Sequence, residues 1–279
     1  WHAFFVPDLQ GCAELPAVLS DYIPTPMKTS LLCLLAMLSV NLFAADTPAP
    51  KAAPAPYTPP ANSKLPPQVK RFGAADAKDG LDYLAYLPAS YDEDKNKLWP
   101  LVIFLHGSGE RGKNVQIVRK TGLTETLETR GATSYVCLAP QCPSENRGWN
   151  TAVLNKFLDQ VLTEYRVDKN RVVLTGLSMG GFGTWNWGSE HPERFAGLVP
   201  ICGSGTPAKA TSLKGMPIWA FHGEADPVVK IAGDQAMVDA AKAAGADIKF
   251  TTYPGVGHNS WGKAYTEPEL DAWILARKK

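Results

Sequence analysis

The sequence predicts an α/β chain in which a mostly parallel sheet of eight strands is covered by helices on both faces. Strand-like apolar runs alternate with helical stretches along most of the chain, which is the pattern of a parallel sheet built by crossovers. The β-branched run Arg171-Val172-Val173-Leu174-Thr175 ends in Gly176 and reads as a buried strand. A length of 279 residues at 45% hydrophobic content supplies one large core, and α/β proteins of that size are commonly a single domain.

In chain order, residues 1–26 read as upstream translation from a misplaced start, because Met27 is the natural initiator. Met27-Lys28-Thr29-Ser30 is a short basic start. Residues 31–43 are almost wholly apolar, and small residues follow at Ala44 and Ala45. Residues 27–44 therefore read as a bacterial-type signal peptide, too short to span a bilayer stably, which places the mature protein outside the cell or in the periplasm. Residues 45–68 are rich in proline and alanine and read as an extended linker. The folded domain is expected over 69–279. Its strands are expected at 81–87, 101–105, 134–138, 172–175, 197–201, 218–221 and 248–253, with a weaker first strand at 69–72. Helices are expected at 151–165, 180–190, 231–244 and 267–278.

Gly176-Leu177-Ser178-Met179-Gly180-Gly181 directly follows a strand and precedes a helical stretch. That setting marks a sharp strand-to-helix turn that exposes a nucleophilic serine above a parallel sheet. A serine needs a base to take its proton and an acid to orient the base. Sheets carrying such a turn supply acid and then base from loops after later strands. The strand-like 217–221 is followed by His222-Gly223-Glu224-Ala225-Asp226, and 248–253 by Pro254-Gly255-Val256-Gly257-His258. Ser178, Asp226 and His258 are thus the candidate triad.

The chain has five histidines. His2 lies in the upstream segment, His106 precedes the nucleophile, and His191 reads as a cap at the end of the nucleophile helix. His222 lies in the acid loop itself and reads as packing behind the triad. Glu224 competes with Asp226 for the orienting role. The glycine-rich loop His106-Gly107-Ser108-Gly109-Glu110-Arg111-Gly112 follows a strand, so the oxyanion donors are expected at Ser108 (or its neighbour Gly109) and Met179. A phosphate-cradling loop is the alternative, but the Gly-Lys-Ser/Thr ending is missing.

Leu105-His-Gly-Ser-Gly-Glu-Arg-Gly112, Ala139-Pro-Gln-Cys-Pro143, the stretch from Tyr165 to Gly181 and Phe221-His-Gly-Glu-Ala-Asp-Pro-Val-Val229 together resemble the secreted α/β-hydrolase esterases. The feruloyl/acetyl-xylan esterase and polyhydroxybutyrate-depolymerase-like groups, also labelled phospholipase/carboxylesterase or "predicted peptidase", are the most similar. The resemblance runs from about Val69 to Lys279. It implies an α/β-hydrolase fold and an ester hydrolase working through an acyl-serine intermediate. It does not fix the substrate. Gln141, within the second of these motifs, and Trp149 are the candidate substrate-binding residues.

Formal net charge is +1 over the whole chain, and losing Lys28, Asp8, Glu14 and Asp21 with residues 1–44 leaves +3. No basic run is present, so neither nucleic acid nor stable membrane association is expected. No His/Cys cluster has metal-ligand spacing, so no metal or other cofactor is expected. Cys137, Cys142 and Cys202 remain after that loss; Cys137 and Cys142 could form a bridge or remain two buried thiols. Only residues 202–215 separate the sixth and seventh strands, which leaves no room for a cap domain and predicts an open site. That suits an ester on a bulky or polymeric partner. Trp149 and Trp261 fall on loops at the carboxyl edge of the sheet, where ligands bind, as aromatic platforms or as packing. Two other readings stand beside the esterase: a serine peptidase on the same fold, and a non-catalytic binding protein.

Overall fold

The structure is a computed structural model that describes residues 65–74 and 79–279. The upstream segment 1–26, the signal peptide 27–44 and most of the linker expected at 45–68 lie outside the described residues.

Eight strands form one sheet: β1 (Gln68–Phe72), β2 (Leu81–Tyr86), β3 (Trp99–Leu105), β4 (Val136–Pro140), β5 (Val167–Leu177), β6 (Gly197–Ile201), β7 (Pro217–Gly223) and β8 (Asp247–Tyr253), in the order β1-β2-β4-β3-β5-β6-β7-β8. The β1–β2 and β2–β4 pairs are antiparallel and the remaining pairs are parallel. The central strands β3, β4 and β6 are buried at every position, as expected where helices cover both faces.

Successive side chains leave a strand on opposite faces, and the core divides accordingly. Leu101, Ile103, Leu105, Leu174 and Leu198 point to one side, where α2 (Thr151–Glu164), α3 (Met179–Glu190) and α4 (Ile231–Ala243) bury Phe157, Trp185 and Met237. Val102, Phe104, Val173, Val199 and Phe221 point to the other. There α1 (Gly122–Arg130) and α6 (Leu270–Leu275) bury Leu123, Leu127 and Ile274. A single-turn helix, α5 (Trp261–Ala264), precedes α6.

Several bounds differ from expectation. β5 begins at Val167 because Trp99 pairs with Val167 before a register shift, so the polar Asp168, Lys169 and Asn170 are carried inside the strand. The last helix is shorter than 267–278. The helix α1 was not anticipated: it turns only Leu123 and Leu127 toward the sheet among polar neighbours, too sparse a stripe to signal a helix. The segment between β6 and β7 is a short 3-10 turn, Pro207–Leu213, with Ala210 and Leu213 buried. Cys137, Cys142 and Cys202 are all free and buried, so the Cys137–Cys142 bridge is not formed. Among the described residues no helix is long and apolar enough to cross a membrane.

Candidate active site

β5 ends at Leu177 and α3 starts at Met179, so the chain reverses within one residue. Ser178 carries that reversal at φ 52°, ψ −117°, outside the regions an L-residue favours. Hydrogen bonds hold the strain on both sides: the Ser178 N–H donates to the Ile201 carbonyl at 2.9 Å, and its carbonyl accepts from Phe182 N–H at 3.0 Å. The flanking glycines answer to close approach. A Cβ at Gly176 would lie 2.4 Å from the Gly180 carbonyl oxygen, and one at Gly180 would lie 1.8 Å from the Leu105 carbonyl oxygen.

The loops after β7 and β8 bring the other two candidates to this serine. His258 Nε2 lies 2.9 Å from Ser178 Oγ, and His258 Nδ1 lies 2.7 Å from Asp226 Oδ2. A carboxylate only accepts, so Nδ1 carries the hydrogen and Nε2 is free to accept from the hydroxyl. Asp226 Oδ1 accepts from the N–H groups of Val228 (2.8 Å) and Val229 (3.0 Å). Burial pushes the Asp226 carboxyl up, but the bonds from His258, Val229 and Val228 outweigh it and hold the group below its ordinary value. Glu224 is exposed, and its Oε1 accepts from Thr252 Oγ1 at 2.7 Å instead. Trp261 packs edge-on against the His258 ring, centroids 5.4 Å apart.

Ser108 opens a 3-10 turn (Ser108–Glu110) and Met179 opens α3. First-turn N–H groups have no intrahelical acceptor. Both residues line a cleft of about 430 Å³ with Ser178, Arg147, Trp149, Phe182 and Asn186. The Ser108 loop is braced from below. Arg111 Nε donates to the Ser108 carbonyl at 3.0 Å, and Gln141 Nε2 donates to the carbonyls of Glu110 (2.8 Å) and Asn114 (3.0 Å). Gln141 is buried, and its amide nitrogen is engaged in these bonds. The structure thus places Gln141, expected to contact substrate, as an anchor of the loop and not among the residues that line the cleft. Trp149 does line the cleft, but as a fixed wall. Its Nε1 donates to the His106 carbonyl at 3.3 Å, and its ring packs edge-on against His106.

Of the other histidines, His106 and His222 are fully buried. His106 Nδ1 lies 2.6 Å from the Gly107 carbonyl and Nε2 accepts from Cys142 N–H at 2.9 Å, which fixes one neutral tautomer. Burial pushes its pKa down to about 4. His191 caps α3 through its backbone N–H to Trp187, and its Nε2 contacts Asn155 Nδ2 at 2.8 Å. His222 was expected only to pack, but it pairs with Asp234 at 2.8 Å (Nδ1 to Oδ2). Sequence reading missed Asp234. Its signal is present, since Asp234 interrupts the buried stripe Met237, Val238 and Ala241 at helical spacing.

The sheet order, the strained serine and the three-residue chain of hydrogen bonds decide the fold. The chain has the α/β-hydrolase fold. The family described as phospholipase/carboxylesterase matches residues 134–267 of this chain, just under half of it, which include Ser178, Asp226 and His258. A bifunctional acetylxylan esterase/xylanase of Neocallimastix patriciarum is 27% identical over 156 residues, 54% of this chain and 22% of that protein. A probable feruloyl esterase C of Aspergillus clavatus is 28% identical over 131 residues, 45% of this chain and 47% of that protein. The chain thus spans less than half the length of either relative. Among solved structures, a thermostable esterase is similar at TM-score 0.65 and 31% identity over 76% of this chain and 63% of that one. A ferulic acid esterase aligns at TM-score 0.58 over 76% of this chain and 100% of that one, and at 18% identity that likeness speaks to the fold alone.

Proposed function

We propose that this α/β-hydrolase is an exported serine carboxylesterase that cleaves short-chain or carbohydrate-linked carboxylic esters, of acetyl or feruloyl type, through an acyl-serine intermediate. The observation that carries this is the unbroken path from Ser178 Oγ to His258 Nε2 (2.9 Å) and from His258 Nδ1 to Asp226 Oδ2 (2.7 Å) at a strained turn. His258 takes the hydroxyl proton as Ser178 attacks the ester carbonyl, then returns it to the departing alcohol; a water repeats the sequence on the acyl-enzyme. The ionised Asp226 carboxylate keeps the imidazole in the productive tautomer and stabilises its cation. The N–H groups of Ser108 and Met179 meet the oxyanion, and their fixed backbone requires no reorganisation as charge develops.

The catalytic unit is assigned to residues 69–279, and export to the basic and apolar segment 27–44. The short connection between β6 and β7 supplies no cap over the site, which favours esters on bulky partners over long free acyl chains. The similarity to the acetylxylan and feruloyl esterases supports the carbohydrate-linked class.

The test is a panel of p-nitrophenyl acetate, butyrate and longer esters beside methyl ferulate, acetylated xylan and peptide anilides. Ester turnover that disappears in Ser178→Ala, with a serine-reactive phosphonate labelling Ser178 alone, is the expected result. Labelling at Ser108 or Ser204, or faster turnover of anilides than of esters, would overturn the reading.

A further inference from the structure

Behind the acid of the candidate triad lies a second, fully buried histidine–carboxylate pair that the reaction as derived above does not use. His222 Nε2 lies 2.9 Å from the Val229 carbonyl and 3.3 Å from Asp226 Oδ2. Neither atom can donate while Asp226 is ionised, so Nε2 carries a hydrogen. His222 Nδ1 meets Asp234 Oδ2 at 2.8 Å, and Asp234 Oδ1 accepts from Trp185 Nε1 at 2.8 Å. Trp185 belongs to α3, the helix that Ser178 caps. The contacts therefore close a ring: Ser178, His258, Asp226, His222, Asp234, Trp185 and back along α3 to Ser178.

Asp226 shows what the ring accomplishes. Its Oδ1 accepts from Val228 and Val229 and its Oδ2 from His258, while His222 Nε2 stands 3.3 Å from the same Oδ2. Val229 is fixed at both ends, with its N–H on Asp226 and its carbonyl on His222. Without His222 the Val229 carbonyl would lose its donor, Asp226 would lose the N–H that faces it, and the acid loop would lose its tie to the sheet.

Resting on the esterase reading, we infer that His222 and Asp234 are positioning residues: His222, held in register by Asp234, donates to the Val229 carbonyl, stands 3.3 Å from Asp226 Oδ2 and thereby sets the carboxylate that orients His258. The titratable groups facing His222 are Asp226 in its own loop and Asp234 from α4; His258 from the loop after β8 acts on Asp226, and Cys202 from the loop after β6 faces both carboxylates. Burial pushes the Cys202 thiol up to about 12 and keeps it neutral. Burial opposes charge on His222, but Asp234, the Val229 carbonyl and Asp226 together raise its proton affinity above the ordinary value.

The test compares His222→Leu, His222→Gln and Asp234→Asn in the full chain with p-nitrophenyl acetate. His222→Leu is expected to lower kcat about 10–100-fold, the usual range for outer-shell partners, while KM moves less than about twofold. The acid limb of kcat/KM shifts to higher pH, because an Asp226 relieved of the positive N–H edge facing its Oδ2 holds the His258 cation more tightly. His222→Gln returns an N–H toward Val229 and Asp226 and restores most of the rate. Asp234→Asn shifts the limb the same way by a smaller amount. Wild-type kcat and acid limb in His222→Leu would overturn the inference. So would equal losses in the Leu and Gln variants with an unmoved limb, the mark of packing alone. If His222→Leu does not fold, Asp234→Asn decides through low-field proton NMR, which needs no substrate: the His258 Nδ1–H resonance is expected to move, and an unmoved resonance rejects the coupling. Failure of the esterase reading is separate, since it shows in the wild type as absent ester turnover and absent labelling of Ser178.

Discussion

Two acidic side chains two residues apart, Asp226 and Glu224, were both open to the role of orienting acid, and their surroundings separate them. Asp226 is buried, held below its ordinary pKa and bonded to His258, whereas the exposed Glu224 bonds Thr252. Asp226→Asn is therefore expected to lower kcat by about 10³–10⁴-fold through loss of the imidazole's orientation, and Glu224→Gln to leave it within about twofold. Steady-state kinetics of the two variants checks this, and the reverse ranking would move the assignment to Glu224. His106 yields a prediction about stability. Its folded pKa of about 4 lies below the ordinary histidine value, so between about pH 6.5 and 4 the unfolded chain binds a proton that the folded chain does not. Stability is thus whole above that window and falls as pH drops through it, by up to about 3 kcal/mol at its lower end. His106→Gln removes the titration, so its destabilisation measured by urea unfolding should be large at pH 7 and clearly smaller at pH 4.5. Equal values at the two pH values would show that His106 is not the group responsible. The serine turn of the candidate triad was legible in the sequence because a strained turn demands glycine at set positions. The second pair was not, because Asp234 reaches His222 only once α4 is packed on the sheet.

The elements around the serine meet at distances that leave no space for side chains, and that closeness is a property of β5 and α3 together. A methyl at Gly180 would stand 1.8 Å from the Leu105 carbonyl oxygen and 2.5 Å from its carbon, both backbone atoms of β3 that no rotamer change can move. Gly180→Ala is expected to destabilise the fold by at least about 3 kcal/mol, in the upper range for overpacking. Gly109→Ala has open space around its Cβ and should stay within about 0.5 kcal/mol of wild type. Thermal unfolding of the pair gives the comparison, and a Gly180→Ala protein as stable as Gly109→Ala would refute the packing argument. Strand identity was legible wherever a run was apolar and bounded by turn residues, as at Gly197–Ile201. It failed at the start of β5, where edge pairing with Trp99 rather than hydrophobicity extends the strand.

At the scale of the molecule, and on the proposed reading, what stands above Ser178 decides which esters it can reach. β6 and β7 are joined by one 3-10 turn that buries Ala210 and Leu213 against the body of the fold, and no residue of this connection lines the cleft at the serine. The cleft that remains is about 430 Å³, walled by Trp149 and Phe182 and bordered by the polar Arg147 and Asn186. A cleft of that size accommodates a small acyl group or one aromatic ring, but offers no apolar tunnel along which each added methylene could leave water. Without that tunnel, extra chain length adds no transition-state binding. Hydrophobic discrimination in such a site amounts to roughly 1–3 kcal/mol per methylene-sized misfit, so the preference is graded. On the proposed reading, kcat/KM for p-nitrophenyl esters should be highest for acetate to butyrate and decline by about tenfold or more beyond eight carbons. Trp149→Ala tests the wall itself: it should raise KM for feruloylated or acetylated xylan fragments more than for p-nitrophenyl acetate, because only the larger ligands reach across the ring. Equal effects would leave Trp149 as support for His106 alone. A maximum at long-chain esters would mean that some other part of the chain covers the serine, and would remove the argument from the open site.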